Sequence, residues 1–250
     1  MYHAIGCQRQ VNRHPYFETA TSLEAFAAHM EFLKSGGYRA VGLIELFGSL
    51  FTACPPREKM VVITFDDGLA DFKSEALPVL ERHGFKATVF LPAGLIGGTL
   101  NGQRCLTWAD VRAVAASGTE FGSHSLTHSK LNVLDAAGLE REIRVSKETI
   151  EDELGQRVQL FSFPYAFPEN DKKFIKRLET LLKACGYCVG VTTIVGRASA
   201  ADGRFRLKRI PVNGHDDIAL FRAKLQGAYD WLVWPQRLKK RVLGVSKSRT

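Results

Sequence analysis

Short runs rich in Val, Ile and Phe recur along the chain, with helix-length segments between them. That alternation constrains the fold more than any other feature, because neighbouring parallel strands need long crossovers, and helices supply them. The runs predict strands over 2–5, 38–43, 61–65, 86–91, 119–123, 159–163, 187–192 and 208–212. Helices are expected over 22–35, opened by Thr21 or Ser22 as cap, and over 69–83, 108–117, 136–154, 171–184 and 216–229. Seven or eight such β/α units in 250 residues predict an α/β barrel in one domain over 1–228, followed by a tail, 229–250.

In such a barrel, the loops at the C-terminal ends of the strands carry the chemistry. Here the strand ending at Phe65 runs into Asp66, Asp67 and Gly68, and the one ending at Ser123 runs into His124 and His128. Pro164 and Tyr165 follow the next, and His215 follows the last. Two adjacent carboxylates repel, and a bound cation is the simplest way to keep both ionised. The competing reading makes Asp66 a helix cap and Asp67 a partner of the helix dipole. On a helical turn, His124 and His128 would face one side and could share an ion. With an Asp from another strand end they supply three N/O ligands, leaving a fourth position for water.

These residues also carry a resemblance. TFDDG at 64–68, HSLTH at 124–128 and FSFPYAFP at 161–168 occur in order, and MYH at the start, TWADV at 107–111 and RIPV at 209–212 extend the match over roughly residues 1–225. The chain resembles the polysaccharide deacetylases of carbohydrate esterase family four, the NodB-homology domain. The resemblance implies a distorted (β/α) barrel of seven or eight units that removes acetyl groups from N-acetylated, sometimes O-acetylated, sugars. It implies Asp66 as general base, Asp67, His124 and His128 as metal ligands, and a backbone N–H at Tyr165 that helps hold the oxyanion. The ion is expected to be Zn²⁺, with Co²⁺, Ni²⁺ or Fe²⁺ compatible with the same donors. The substrate implied is an N-acetylated sugar or oligosaccharide of a surface polysaccharide or its lipid-linked precursor.

The chain departs from the commonest family pattern at two places. Ser162 stands where an Arg often steers the base, and Arg206 or Arg209 is the candidate replacement. The late Leu-x-His that gives the general acid has no clean counterpart, so His3 and His215 are the candidates, with the family's order favouring His215. His14, His29 and His83 are expected to be solvated or capping residues. A binding or scaffold protein that kept the fold without turnover is the alternative reading. A metal-independent cyclic-amide hydrolase is a third, disfavoured by the intact Asp67, His124 and His128 set.

The formal net charge is +8, but Arg237, Lys239, Lys240, Arg241, Lys247 and Arg249 supply six of those charges, leaving residues 1–236 at +2. A nucleic-acid-binding face would need its Lys and Arg clustered on the fold, so nucleic acid is not an expected partner. The tail also carries Trp231, Leu232 and Trp234, a mixture that suits peripheral contact with an anionic membrane surface. Five scattered cysteines, Cys7, Cys54, Cys105, Cys185 and Cys188, are expected to be reduced thiols. Cys185 and Cys188 form a C-x-x-C that reads as small apolar residues between a helix and a strand. With no secretory signal visible in MYHAIGCQRQ, the expected location is cytoplasmic.

Overall fold

A computed structural model describes residues 1–6, 19–51 and 58–228. The tail over 229–250, His14, Cys7 and Cys54 lie outside the described residues. In chain order the elements are α1 (Leu23–Ser35), β1 (Tyr38–Ala40), α2 (Leu43–Leu50), β2 (Lys59–Val61), β3 (Ile63–Phe65) and α3 (Leu77–His83), the last preceded by a π-helical turn, Phe72–Ala76. Then follow β4 (Ala87–Leu91), the short pair β5 (Thr99–Leu100) and β6 (Gln103–Arg104), α4 (Trp108–Ala115), β7 (Glu120–Ser123) and α5 (Ala136–Leu154). β8 (Leu160–Ser162), α6 (Lys172–Ala184), β9 (Val189–Val195), β10 (Leu207–Arg209) and α7 (Ile218–Leu225) complete the fold.

Six parallel strands form the main sheet in the order β10-β9-β8-β7-β4-β3. Such a sheet is covered on both faces, which is why β3, β4 and β8 read as continuous apolar runs and are buried throughout. The sheet curls, and residues 1–5 bridge its two edges. Tyr2 N–H donates to the Thr64 carbonyl at 2.8 Å, while Val212 N–H donates to the Met1 carbonyl at 2.9 Å. Tyr2 stacks on Phe65 at 5.5 Å and meets Phe26 of α1 edge-on at 5.1 Å, and Phe65 in turn meets Phe72 at 4.8 Å. These aromatic contacts, each worth about 0.5–1.5 kcal/mol beyond area burial, fix the first segment against β3.

The expectation of eight barrel strands is corrected in one respect. The run over 38–43 divides into β1, which pairs only with β2 outside the main sheet, and the start of α2. The barrel is therefore six strands plus the bridging N-terminal segment. His29 is also corrected: it is fully buried, because it shares the core face of α1 with Phe26, Met30 and Leu33. Its ring meets the Tyr2 hydroxyl at 3.1 Å and the Asp216 carbonyl at 2.9 Å. Asp216 itself is buried against Lys224 of α7 at 2.5 Å. Cys105, Cys185 and Cys188 are free thiols, and Cys185 caps α6 just before β9, as its apolar reading expects.

Candidate active site

β3 ends in a turn that its sequence forces. Asp67 and Gly68 both take positive φ, 72° and 57°, and a Cβ on Gly68 would come within 2.9 Å of Leu91. β7 delivers the histidines, and Gly122 permits it, since a Cβ there would sit 2.7 Å from Phe90 and 2.8 Å from Leu160. The segment from His124 to His128 is an irregular loop, which corrects the helical-turn expectation. Ser125 and His128 adopt left-handed conformations with φ of 64° and 55°, and this fold-back brings the two imidazoles to 4.9 Å. Among the described residues, five non-glycines have positive φ, and Asp67, Ser125, His128 and Tyr165 are four of them. Backbone strain thus concentrates at one place, as it does at functional sites.

His124 Nδ1 lies 2.9 Å from the Ser162 carbonyl, so it carries a hydrogen, and in the neutral ring Nε2 keeps its lone pair. That Nε2 is 3.5 Å from Asp67 Oδ1, and His128 Nε2 is 3.3 Å from the same oxygen. Asp67 Oδ1 is nonetheless buried without a hydrogen-bond partner. Three donor atoms that converge within 4.8 Å, one of them an orphaned buried anion, fit a shared divalent cation. Burial opposes the charge on Asp67, but the His124 and His128 imidazoles hold its carboxyl well below the usual carboxylate range. His128 Nδ1 is buried without a partner as well.

Asp66 is 1% exposed and makes no cap. Arg209, arriving from β10, grips it with two 2.7 Å bonds, Nη1 to Oδ1 and Nη2 to Oδ2. Arg209 also donates to Ser162 Oγ at 3.0 Å, and Ser162 Oγ donates to Asp66 Oδ1 at 3.2 Å. Burial pushes the Asp66 carboxyl up, yet the charges of Arg209 and His124 hold it well below the ordinary range. Of the two candidate arginines, Arg209 is the one that reaches Asp66, while Arg206 pairs with Glu179 at 2.8 Å. Ser162 fits because an arginine from a different strand occupies the space its own side chain leaves.

His3 is half-buried, with Nδ1 buried and lacking a hydrogen-bond partner. Burial pushes its imidazole below the ordinary histidine value against the pull of Asp67 and Asp66, whose charges reach it. His215 is exposed, on the turn leading into α7. Tyr165 is 47% exposed. Its carbonyl accepts from Thr193 Oγ1 at 2.9 Å, and its ring lies 4.6 Å from that of His128. Cys105 borders Asp67 but stays a thiol, since burial and the Asp67 charge push it up to about 11. An apolar cavity of about 390 Å³ follows the seam between β3 and β10, and the three convergent donors do not line it.

One residue absent from the sequence reading is Glu142 of α5, 5% exposed, which binds the loop between the histidines. Its signal was legible as a charge within the stripe Leu139, Ile143, Ser146 and Ile150, the buried face of a helix.

Residues 53–187 match the family described as polysaccharide deacetylase. A Bacillus subtilis protein named as a polysaccharide deacetylase, YxkH, is 32% identical over 213 residues, which is 85% of this chain and 70% of that protein. A chitooligosaccharide deacetylase of Rhizobium leguminosarum bv. trifolii is 34% identical over 94 residues, 37% of this chain and 40% of its own. The solved structure of the Streptococcus pyogenes deacetylase PplD, in complex with acetate, superposes with a TM-score of 0.79 at 25% identity, over 90% of this chain and 95% of that one.

Proposed function

The chain belongs to the polysaccharide deacetylase family, and from that premise we propose that it is a metal-dependent hydrolase removing an N-acetyl group from a sugar. The observation that carries this reading is the buried, unpartnered Asp67 Oδ1 facing Nε2 of His124 and Nε2 of His128. A divalent cation held there, Zn²⁺ on the chemistry of the donors, supplies Lewis acidity that eases deprotonation of water toward pH about 7 and polarises the acetyl carbonyl.

The remaining work falls to the chain. Asp66 is charged, and Arg209 fixes both of its oxygens, so a lone pair is available to take the proton of the attacking water. The backbone N–H of Tyr165 donates to the oxyanion, an effect worth roughly 3 kcal/mol per donor. The amine leaving group needs a proton, and we assign its delivery to His3, which passes on the proton that Asp66 takes from the attacking water. Of the two candidates, His215 is exposed on the turn before α7, whereas His3 Nδ1 is buried without a hydrogen-bond partner, and that burial is the support for His3. The relative named for chitooligosaccharides supports an N-acetylated amino sugar as the substrate class. A surface polysaccharide or its lipid-linked precursor, met on the cytoplasmic side, is the setting we propose.

The test is acetate release from a panel of N-acetylated oligosaccharides, recorded with metal content on wild type and His124→Ala. One metal per chain, lost with His124 and required for acetate release, is the expected result. Acetate release that survives complete removal of metal would overturn the mechanism.

A further inference from the structure

We propose that Glu142 is a positioning residue that holds the loop between His124 and His128 in its ligand-bearing shape before any cation arrives. The proposal rests on the metal-site reading above and extends it to a helix that touches no reacting atom.

A carboxylate on the buried stripe of α5 is costly unless every lone pair is used. Among the described residues no Lys or Arg pairs with Glu142. Its partners all lie in one short segment. Oε2 accepts from Leu126 N–H and Thr127 N–H, each at 2.9 Å, and Oε1 accepts from the Thr127 hydroxyl at 2.6 Å. One turn further along α5, Ser146 Oγ meets Ser123 Oγ at 2.7 Å, and Ser123 Oγ accepts from Ser125 N–H at 3.2 Å.

The other side of the loop is pinned as well. Ala93 N–H and Gly94 N–H, just past β4, donate to the carbonyls of Ser125 and Leu126 at 3.1 and 2.8 Å. Ser125 Oγ accepts from His128 N–H at 3.1 Å. These bonds hold Ser125 and His128 in left-handed conformations that side chains other than glycine disfavour. Without Glu142, the Leu126 and Thr127 amides lose their acceptor and the loop is free to relax toward negative φ, separating the imidazoles. The loss therefore falls on cation affinity, where outer partners of a metal site typically matter about 10–100-fold.

The test uses the full chain, stripped of metal and titrated with Co²⁺ while its visible absorption is followed. Thermal unfolding of each stripped variant is recorded alongside. Glu142→Ala is expected to weaken Co²⁺ binding about 10–100-fold and to alter the absorption spectrum. Glu142→Gln, whose carbonyl still accepts both amides, is expected to restore most of the affinity, a rescue that loss of general packing would not give. If Glu142→Ala does not fold, Thr127→Val, which removes only the hydroxyl bond of the three at an exposed residue, carries the test, with weaker Co²⁺ binding expected. Wild-type affinity and spectrum in Glu142→Ala, or in Thr127→Val where that variant carries the test, would overturn the positioning role alone. A wild-type chain that binds no more Co²⁺ than His124→Ala would overturn the metal reading and this proposal together.

Discussion

Asp66 keeps its charge in a nearly solvent-free position because Arg209 presents a planar fork that satisfies both carboxylate oxygens at 2.7 Å while also reaching Ser162. A point charge cannot do this, so Arg209→Lys should fold, retain metal and lose activity, with the loss in kcat. Arg209→Met leaves a buried carboxylate unpaired and should destabilise the fold by about 3–5 kcal/mol, measured by urea unfolding. The proposed acid gives a sharper contrast. His3→Gln should lower kcat for acetate release by about 10²–10⁴-fold with metal content unchanged, whereas His215→Gln should leave kcat near wild type. The opposite ranking would return the acid to the end of the chain. At this scale the sequence named Asp66, Asp67, His124 and His128, since each follows an apolar strand. It left Arg206 and Arg209 both open, and between His3 and His215 it had only the family's order, which favours His215. Those choices depend on which strand ends meet across the barrel, a relation that spans 143 residues for Asp66 and Arg209 and that no local pattern encodes.

At the scale of elements, α1, α5 and α6 are legible because each has a side-chain cap and a mostly apolar buried face: Ser22, Asp135 and Asp171 accept from the first turns. α2 was missed because LIELFGSL has a glycine where a side-chain cap would sit, another inside, and only Leu43 buried. The β5–β6 pair was missed although its signal was present. Asn101 and Gly102, with φ of 51° and 81°, form the two-residue turn that favours hairpins. α4 opens with a reciprocal cap in which Thr107 and Asp110 bind each other's backbone N–H groups. Thr107→Ala should therefore cost about 1 kcal/mol. Lys73, then Thr107, hold the Asp110 carboxyl down at about 2. A carboxyl depressed on folding stabilises above its unfolded value, near 3.9, and that contribution fades as pH falls through about 2. Asp110→Asn should thus lower the urea midpoint at pH 5 and converge on wild type near pH 2. A constant difference across that range would show that charge is not what Asp110 contributes.

For the whole molecule, the decisive feature is that one short segment holds both edges of the sheet. Residues 1–5 hydrogen-bond to β3 on one side and to the stretch after β10 on the other, contacts separated by up to 209 residues. Below that segment, the seam is filled by side chains around the apolar cavity, among them Met30, Leu33, Met60, Leu207 and Phe221, so few backbone bonds reinforce it. Closing so long a loop loses chain entropy before any contact forms, which places this docking late in folding, after β3 and β10 already exist. Tyr2, 3% exposed, stacked on Phe65 and edge-on to Phe26, is the anchor. Tyr2→Ala should cost about 3 kcal/mol or more, in the range of large aromatic truncations. If docking follows the transition state, that loss appears almost entirely in unfolding, which should accelerate about a hundredfold while refolding keeps its rate. The segment also carries His3, so the same substitution should lower kcat under conditions where the variant remains folded. Stopped-flow unfolding and refolding in urea separates the cases. A refolding rate that falls with the stability would mean that the barrel closes early, around its N-terminal segment.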